Sequence, residues 1–147
     1  MPLYDEELEA SARNLRTLLG IEFDARPDMI TVIYKLKDRG LIKGYERVPD
    51  AEMPDAEARF DPFDEVLYLR ESTFVAGHGM FSIESERRRA RYTLAHEVAH
   101  IWLKHTGIRY RGEAGAAQKK YSDQIRQEER EAERFAAVFL APGYLAA

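Results

Sequence analysis

The stretch that decides the fold of this chain is Arg91-Tyr92-Thr93-Leu94-Ala95-His96-Glu97-Val98-Ala99-His100-Ile101-Trp102. Its apolar residues recur at three- and four-residue steps, which predicts a helix that buries one face. Two histidines four positions apart on a helix project from the same face, with Cβ atoms about 6 Å apart, and can bind one zinc ion together. Ala95 and Ala99 are small enough for another element to approach closely. We therefore predict a metal-binding helix with His96 and His100 as ligands.

Glu97 follows the first histidine and points beside the metal-binding face. Its carboxylate can there take a proton from metal-activated water instead of binding the metal, which is the role of a general base in peptide hydrolysis. The alternative is a chance His-Glu-x-x-His string on an exposed helix. The buried stripe of Leu94, Val98 and Trp102 argues against that alternative, so we predict Glu97 as the general base.

A catalytic zinc ion needs a third protein ligand and an open fourth position for water. No downstream histidine has the spacing of the extended H-E-x-x-H-x-x-G-x-x-H pattern. On a continuous helix His105 points away from the two ligand histidines, so we predict that it supports the site or caps the helix. The third ligand must come from another element.

The acidic segment 127–136 is the remaining source of a ligand. Glu129 is favoured over Glu131 because it shares a face with alanines that allow close packing. Glu133 is predicted to accept a hydrogen bond from the ring N–H of a ligand histidine. Glu128 and Glu131 are interpreted as solvated charges.

The rest of the chain predicts further helices and a β-hairpin. The helices are expected over 4–19, ended by Gly20; from Pro27 to Gly40, with Tyr34 facing inward; from the cap Ser82 to about His105, ended by Gly107; and over 122–140, stopped by Pro142-Gly143. The hairpin pairs 57–60 with 65–70 around a turn at 61–64. Segment 72–80 is interpreted as a loop, and His78 as a loop histidine.

Two functional hypotheses concern segments outside the ligand helices. Strand 65–70 is predicted to be an edge strand, alongside which an extended substrate binds. Segment 107–121 is either a mobile flap or an ordinary connection. In the first case Tyr110 or Tyr121 could stabilise the oxyanion formed on attack.

Composition limits the class of protein. The 147 residues predict one domain spanning 1–147. The formal net charge of -4 disfavours direct nucleic-acid binding. The absence of cysteine excludes sulfur-ligated zinc and fits a reducing compartment. Without a secretory signal or an apolar stretch of about 20 residues, we expect a cytoplasmic protein that does not enter a membrane.

Residues 91–105 and 129–142 together resemble the ImmA/IrrE family of metallopeptidases. The resemblance implies an α+β, zincin-like domain, in which a small, mostly antiparallel sheet packs against several helices, including the metal-binding helix. It also implies a Zn²⁺-dependent endopeptidase, and members of the family cleave helix-turn-helix repressors. The family usually has Asn or Asp at the position of Glu133 and often Met at that of Ala141.

Three alternatives remain open at the level of sequence. The chain could be a peptidase of the same chemistry with an unrelated protein substrate, or a non-catalytic binding or regulatory module that contains zinc. Manganese or iron could occupy the same ligands. The oligomeric state has no signal in the sequence.

Overall fold

The computed structural model describes residues 3–22, 26–78, 83–105 and 116–141, except for the side chains of 116–122. Its elements are α1 (Asp5–Leu18), α2 (Met29–Asp38), β1 (Gly44–Val48), a 3-10 turn (Asp50–Glu52), β2 (Ala58–Asp61), β3 (Val66–Arg70), α3 (Glu71–Gly77), α4 (Glu84–Trp102) and α5 (Ala116–Leu140). This is the predicted α+β class.

The first two helices lie close to their predicted positions. Gly20 closes α1 with a left-handed φ of 71°, which glycine adopts without a steric penalty. Helix α2 begins at Met29 instead of Pro27, because the Asp28 carboxylate accepts hydrogen bonds from the N–H groups of Ile30 and Thr31.

Tyr34 does not face inward as predicted. It is 37% exposed, at the margin of the helix, and its ring lies 5.5 Å from that of Tyr45 in β1. The buried face of α2 instead consists of aliphatic residues that include Ile30, Ile33 and Leu36. A phenol at the margin keeps its hydroxyl near water, which explains the difference.

The three strands form a mixed sheet in the order β1-β3-β2. Strands β2 and β3 form the predicted antiparallel hairpin, with Ala58 opposite Leu69 and Asp61 opposite Val66. Strand β1 runs parallel to β3, so one ladder of this small sheet is parallel.

The prediction that residues 65–70 form an edge strand is wrong. Strand β3 is paired on both sides, and its residues Leu67 and Leu69 are fully buried. The physical signal was present in the sequence, because a strand that is apolar on both faces is typical of the interior of a sheet. The edge strand of this hairpin is β2.

The prediction of a loop over 72–80 is also wrong for most of that segment. Helix α3 begins at Glu71 and buries Thr73, Phe74 and Ala76 on one side. His78 follows the helix, is exposed, and contacts the Phe74 ring edge-on at 4.7 Å. His78 is not part of the group of potential metal ligands found among the described residues, which consists of His96, His100 and Glu129.

The two long helices differ from prediction at their ends. Helix α4 follows Ile83 and ends at Trp102, and Lys104, with a φ of 57°, reverses the chain two residues later. The predicted cap Ser82 and the predicted stop Gly107 lie outside the described residues. Helix α5 starts at Ala116, earlier than the predicted 122. Residues 116–121 are mostly strong helix formers, which explains the extension.

The proposed flap over 107–121 must be shortened accordingly. Its last residues, 116–121, form the beginning of α5. Tyr110 and the Pro142-Gly143 stop lie outside the described residues, and Tyr121 belongs to α5 without a described side chain. A role for either tyrosine stays a prediction.

Small residues pack α5 against α4. Ala95 and Ala99 of α4, and Ala132 and Ala136 of α5, are all fully buried in the main core. Alanine lets two helix backbones approach closely, as the sequence predicts. Helix α5 also packs against α1, so it is held on two sides.

Leu94 offers a test of this core. It is fully buried on α4, and we expect Leu94→Ala to lower the free energy of unfolding by about 2–5 kcal/mol through lost burial and a residual cavity. Urea denaturation would measure the change. Arg88→Ala, on an exposed position of the same helix, should change stability by less than about 0.5 kcal/mol. Equal effects of the two substitutions would contradict the assigned packing.

Candidate metal centre

Three side chains from α4 and α5 converge at one point. His96 Nε2 lies 2.9 Å from Glu129 Oε2, and His100 Nε2 lies 3.1 Å from Glu129 Oε1. One potential ligand atom from each residue fits within 4.8 Å of the others. The structure thus brings Glu129, and not Glu131, to the two histidines.

The donor set fits a divalent transition-metal ion. His96 Nε2 is buried and forms no hydrogen bond with any described residue, because the nearby Glu129 oxygen is close but not aligned for one. A buried polar atom without a hydrogen-bond partner calls for an explanation, and an ion between the two groups would provide it. Two imidazoles and a carboxylate are ligands that zinc accepts readily.

The environment of His100 keeps its imidazole neutral. Burial, followed by the charges of His96 and His105, lowers the pKa of His100 to about 3. A metal ligand must be neutral imidazole with a free lone pair, so this environment suits coordination.

Glu97 lies beside the cluster and interacts with the sheet. Its Oε2 accepts a hydrogen bond from the backbone N–H of Phe60 in β2, at 3.3 Å. Burial raises the pKa of Glu97 to about 7, although the Phe60 N–H lowers it, and the charge of Glu129 adds to the rise. A carboxylate with such a pKa can both accept and return a proton near neutral pH.

The interpretation of Glu128 and Glu131 as solvated charges is wrong. Both are buried, and Glu131 accepts hydrogen bonds from Leu3 N at 2.8 Å and Gln127 Nε2 at 3.4 Å, while its Oε1 lies 2.9 Å from His105 Nε2. Burial by itself would raise the pKa of Glu131, but these hydrogen bonds outweigh it and the pKa is lowered. Assigning residues to the faces of a helix could not reveal these partners, because Leu3 and His105 come from distant segments of the chain.

His105 lies against His100, and not away from it as a continuous helix would place it. Their Nδ1 atoms are 2.8 Å apart. The reversal at Lys104 ends the helix and brings His105 back over the last turn. His105 therefore contacts a potential ligand residue, and its role at the site stays a prediction.

Glu133 is exposed and forms no hydrogen bond to His96 or His100 in the described part of the chain. Burial, then the charges of Glu133 and Glu129, raises the pKa of Tyr92. The Tyr92 ring stacks on His96 with centroids 6.1 Å apart. Sequence reasoning missed Tyr92, although its position four residues before His96 on a helix could have indicated the contact.

Comparison with known proteins agrees with the geometry. Residues 82–144 match the family model described as the IrrE N-terminal-like domain, Peptidase_M78. Over these residues the chain is similar to the ImmA/IrrE family. The match spans both ligand-bearing helices, and the family indicates a metallopeptidase with a zincin-like fold. No curated protein matches the chain.

Within the described ranges, no helix is both long enough and apolar enough to cross a bilayer.

The cluster predicts stabilisation by metal. Zinc at about 100 times its dissociation constant should raise the free energy of unfolding by about 2.7 kcal/mol, because only the folded chain assembles the ligands. Thermal unfolding with and without a chelator would measure this.

His96→Ala and Glu129→Ala should abolish that stabilisation. Asp123→Ala, which removes an exposed acid from the same helix as Glu129, should leave it intact. Full stabilisation of the His96 variant by zinc would contradict the ligand set.

Proposed function

We propose that the chain is a zinc-dependent endopeptidase with His96, His100 and Glu129 as metal ligands and Glu97 as general base. The convergence of the two imidazoles and the Glu129 carboxylate, with Glu97 next to them, carries the proposal. The family match over residues 82–144 supports hydrolysis of a peptide bond. A purely structural site would not require a carboxylate in the position of Glu97.

The residues of the chain have distinct tasks in this reaction. When bound, the ion would polarise the scissile carbonyl and acidify water. Glu97 takes the proton of the attacking water and passes it to the leaving amine nitrogen. The Phe60 N–H holds one carboxylate oxygen of Glu97 and so orients the group, and Tyr92 restrains the ring of His96 by stacking.

The proposed substrate path lies along β2 instead of β3. The Phe60 N–H reaches Glu97 and therefore points away from the neighbouring strand β3. The backbone N–H and C=O groups of successive residues in a strand point to opposite edges. Only every second residue of β2 therefore has these groups on the free edge, where an added peptide could pair with them. An extended substrate that pairs with this edge would pass close to the general base.

The proposed substrate class is a cytoplasmic protein, specifically a helix-turn-helix repressor. The resemblance of residues 91–105 and 129–142 to the ImmA/IrrE family supports this choice. The chain should cleave a repressor encoded beside its own gene, and electrophoresis with mass spectrometry of the fragments would detect the products. Cleavage should stop with a chelator. Intact repressors in the presence of a zinc-loaded, folded chain would exclude this substrate class and favour an unrelated protein.

Glu97→Gln separates metal binding from catalysis. We expect the variant to keep one zinc ion per chain, because the ligands are unchanged, and to lose about 10²–10⁴-fold in kcat. Metal analysis and cleavage rates of the same preparation would test this. His96→Ala is the contrasting variant and should lose both metal and activity. Full activity of Glu97→Gln, or loss of its metal, would remove Glu97 from the proposed role.

Backbone methylation of a cleaved peptide tests the pairing with β2. Each N-methyl group that replaces an edge-facing N–H should cost about 0.5–1.5 kcal/mol in transition-state binding, seen as a lower kcat/KM. Methylation at the adjacent residues, whose N–H groups point the other way, should cost less. If kcat/KM fell equally for methylation at successive residues around the scissile bond, the result would argue against pairing of the substrate with β2.

A further inference from the structure

A chain of contacts leads from the segment before α1 to a ligand of the proposed metal site. The backbone N–H of Leu3 donates to Glu131 Oε2 at 2.8 Å, and Glu131 Oε1 lies 2.9 Å from His105 Nε2. His105 Nδ1 then lies 2.8 Å from His100 Nδ1. His100 Nε2 faces Glu129 at 3.1 Å. The chemistry proposed above uses only the last of these contacts.

The end of α4 creates this arrangement through its capping geometry. Lys104 adopts a left-handed φ, its N–H bonds to the carbonyl of Ile101, and the N–H of His105 bonds to the carbonyl of His100. These are the two bonds of a Schellman motif, which normally brings apolar side chains together at the positions of His100 and His105. Here the motif brings two imidazoles together.

The direction of the hydrogen bonds follows from the carboxylate. An ionised Glu131 can only accept hydrogen bonds, so Nε2–H of a neutral His105 donates to it. Nδ1 of His105 then has a lone pair and accepts the N–H of His100 Nδ1. Nε2 of His100 is consequently unprotonated, with its lone pair on the side of Glu129.

We propose that Leu3, Glu131 and His105 form a relay that fixes His100 in the tautomer able to bind metal through Nε2. The proposal rests on the zinc site of the proposed function. His105 and Glu131 are positioning residues that act through His100. Their side chains are only 8% and 5% exposed, so each needs the other as a buried partner.

Two substitutions of His105 separate this role from packing. His105→Leu fills space but cannot accept the His100 N–H, and should weaken zinc affinity about 10- to 100-fold. His105→Gln can accept from His100 through its oxygen and donate to Glu131 through its nitrogen, and should recover most of the affinity. Competition with a chromophoric chelator measures both. A packing role would give the opposite order, with Leu tolerated at least as well as Gln.

Leu3 tests the far end of the relay. Leu3→Pro removes the N–H that Glu131 accepts and should weaken zinc affinity about 2- to 10-fold, less than His105→Leu because Glu131 keeps its contact with His105. Leu3→Ala keeps the N–H and is the matched control. Glu131→Gln, compared with the exposed Asp123→Asn on the same helix, tests the carboxylate itself. Affinities unchanged from wild type in Leu3→Pro and Glu131→Gln would overturn the relay.

The tautomer of His100 gives a readout that is independent of zinc. Long-range ¹H–¹⁵N NMR of the metal-free protein should show the proton of His100 on Nδ1 in the wild type, and a mixture of tautomers in His105→Leu. A proton on Nε2 in the wild type would overturn the relay. Failure of the wild-type chain to bind zinc would instead overturn the proposed function, so the two failures are distinguishable.

Discussion

The close packing of α4 on α5 through alanines is the constraint on which the site depends. The two histidines are on one helix and the carboxylate that faces them is on the other, so the distance between the helix axes sets whether three ligands can meet. Ala95 and Ala132 are fully buried in the core beside the cluster. A larger residue at either position would separate the helices and with them the ligands. The contacts of α5 with α1 hold the second helix in place.

Burial of ionisable groups around this contact makes each group depend on a specific partner. A charged group removed from water is costly unless it is hydrogen-bonded or paired. Glu131 has partners from two distant segments, Leu3 and His105, and a third, Gln127, from its own helix. Glu97 has one backbone N–H as its partner, and its pKa is raised to about 7. This difference explains why the two carboxylates suit different tasks: Glu131 holds a hydrogen-bond network, and Glu97 is suited to exchange a proton.

The sequence predicted the parts of the structure that depend on local spacing. It gave the α+β class, both ligand-bearing helices, the hairpin and the His96–His100 pair, because helical and strand periods are properties of short segments. Predictions from the sequence were wrong where contacts between distant segments of the chain determine the structure. The position of β3 inside the sheet depends on β1, which reaches it from across the chain, and the burial of Glu131 depends on Leu3. The apolar pattern of β3 on both faces indicates an interior strand but does not identify β1 as its neighbour, and nothing in the sequence around Glu131 indicates Leu3 as its partner.

The end of α4 shows how a local feature acquires a role only through its partner helix. Glu129 and Glu131 are two positions apart on α5 and point to different sides of it. Both nevertheless act on His100, because its two ring nitrogens face in different directions and the turn at Lys104 brings His105 between His100 and Glu131. A helix that continued past Trp102 would carry His105 away from His100. The left-handed residue therefore does more than terminate α4. It lets residues of α5 reach both nitrogens of a single imidazole, Glu129 directly at Nε2 and Glu131 through His105 at Nδ1.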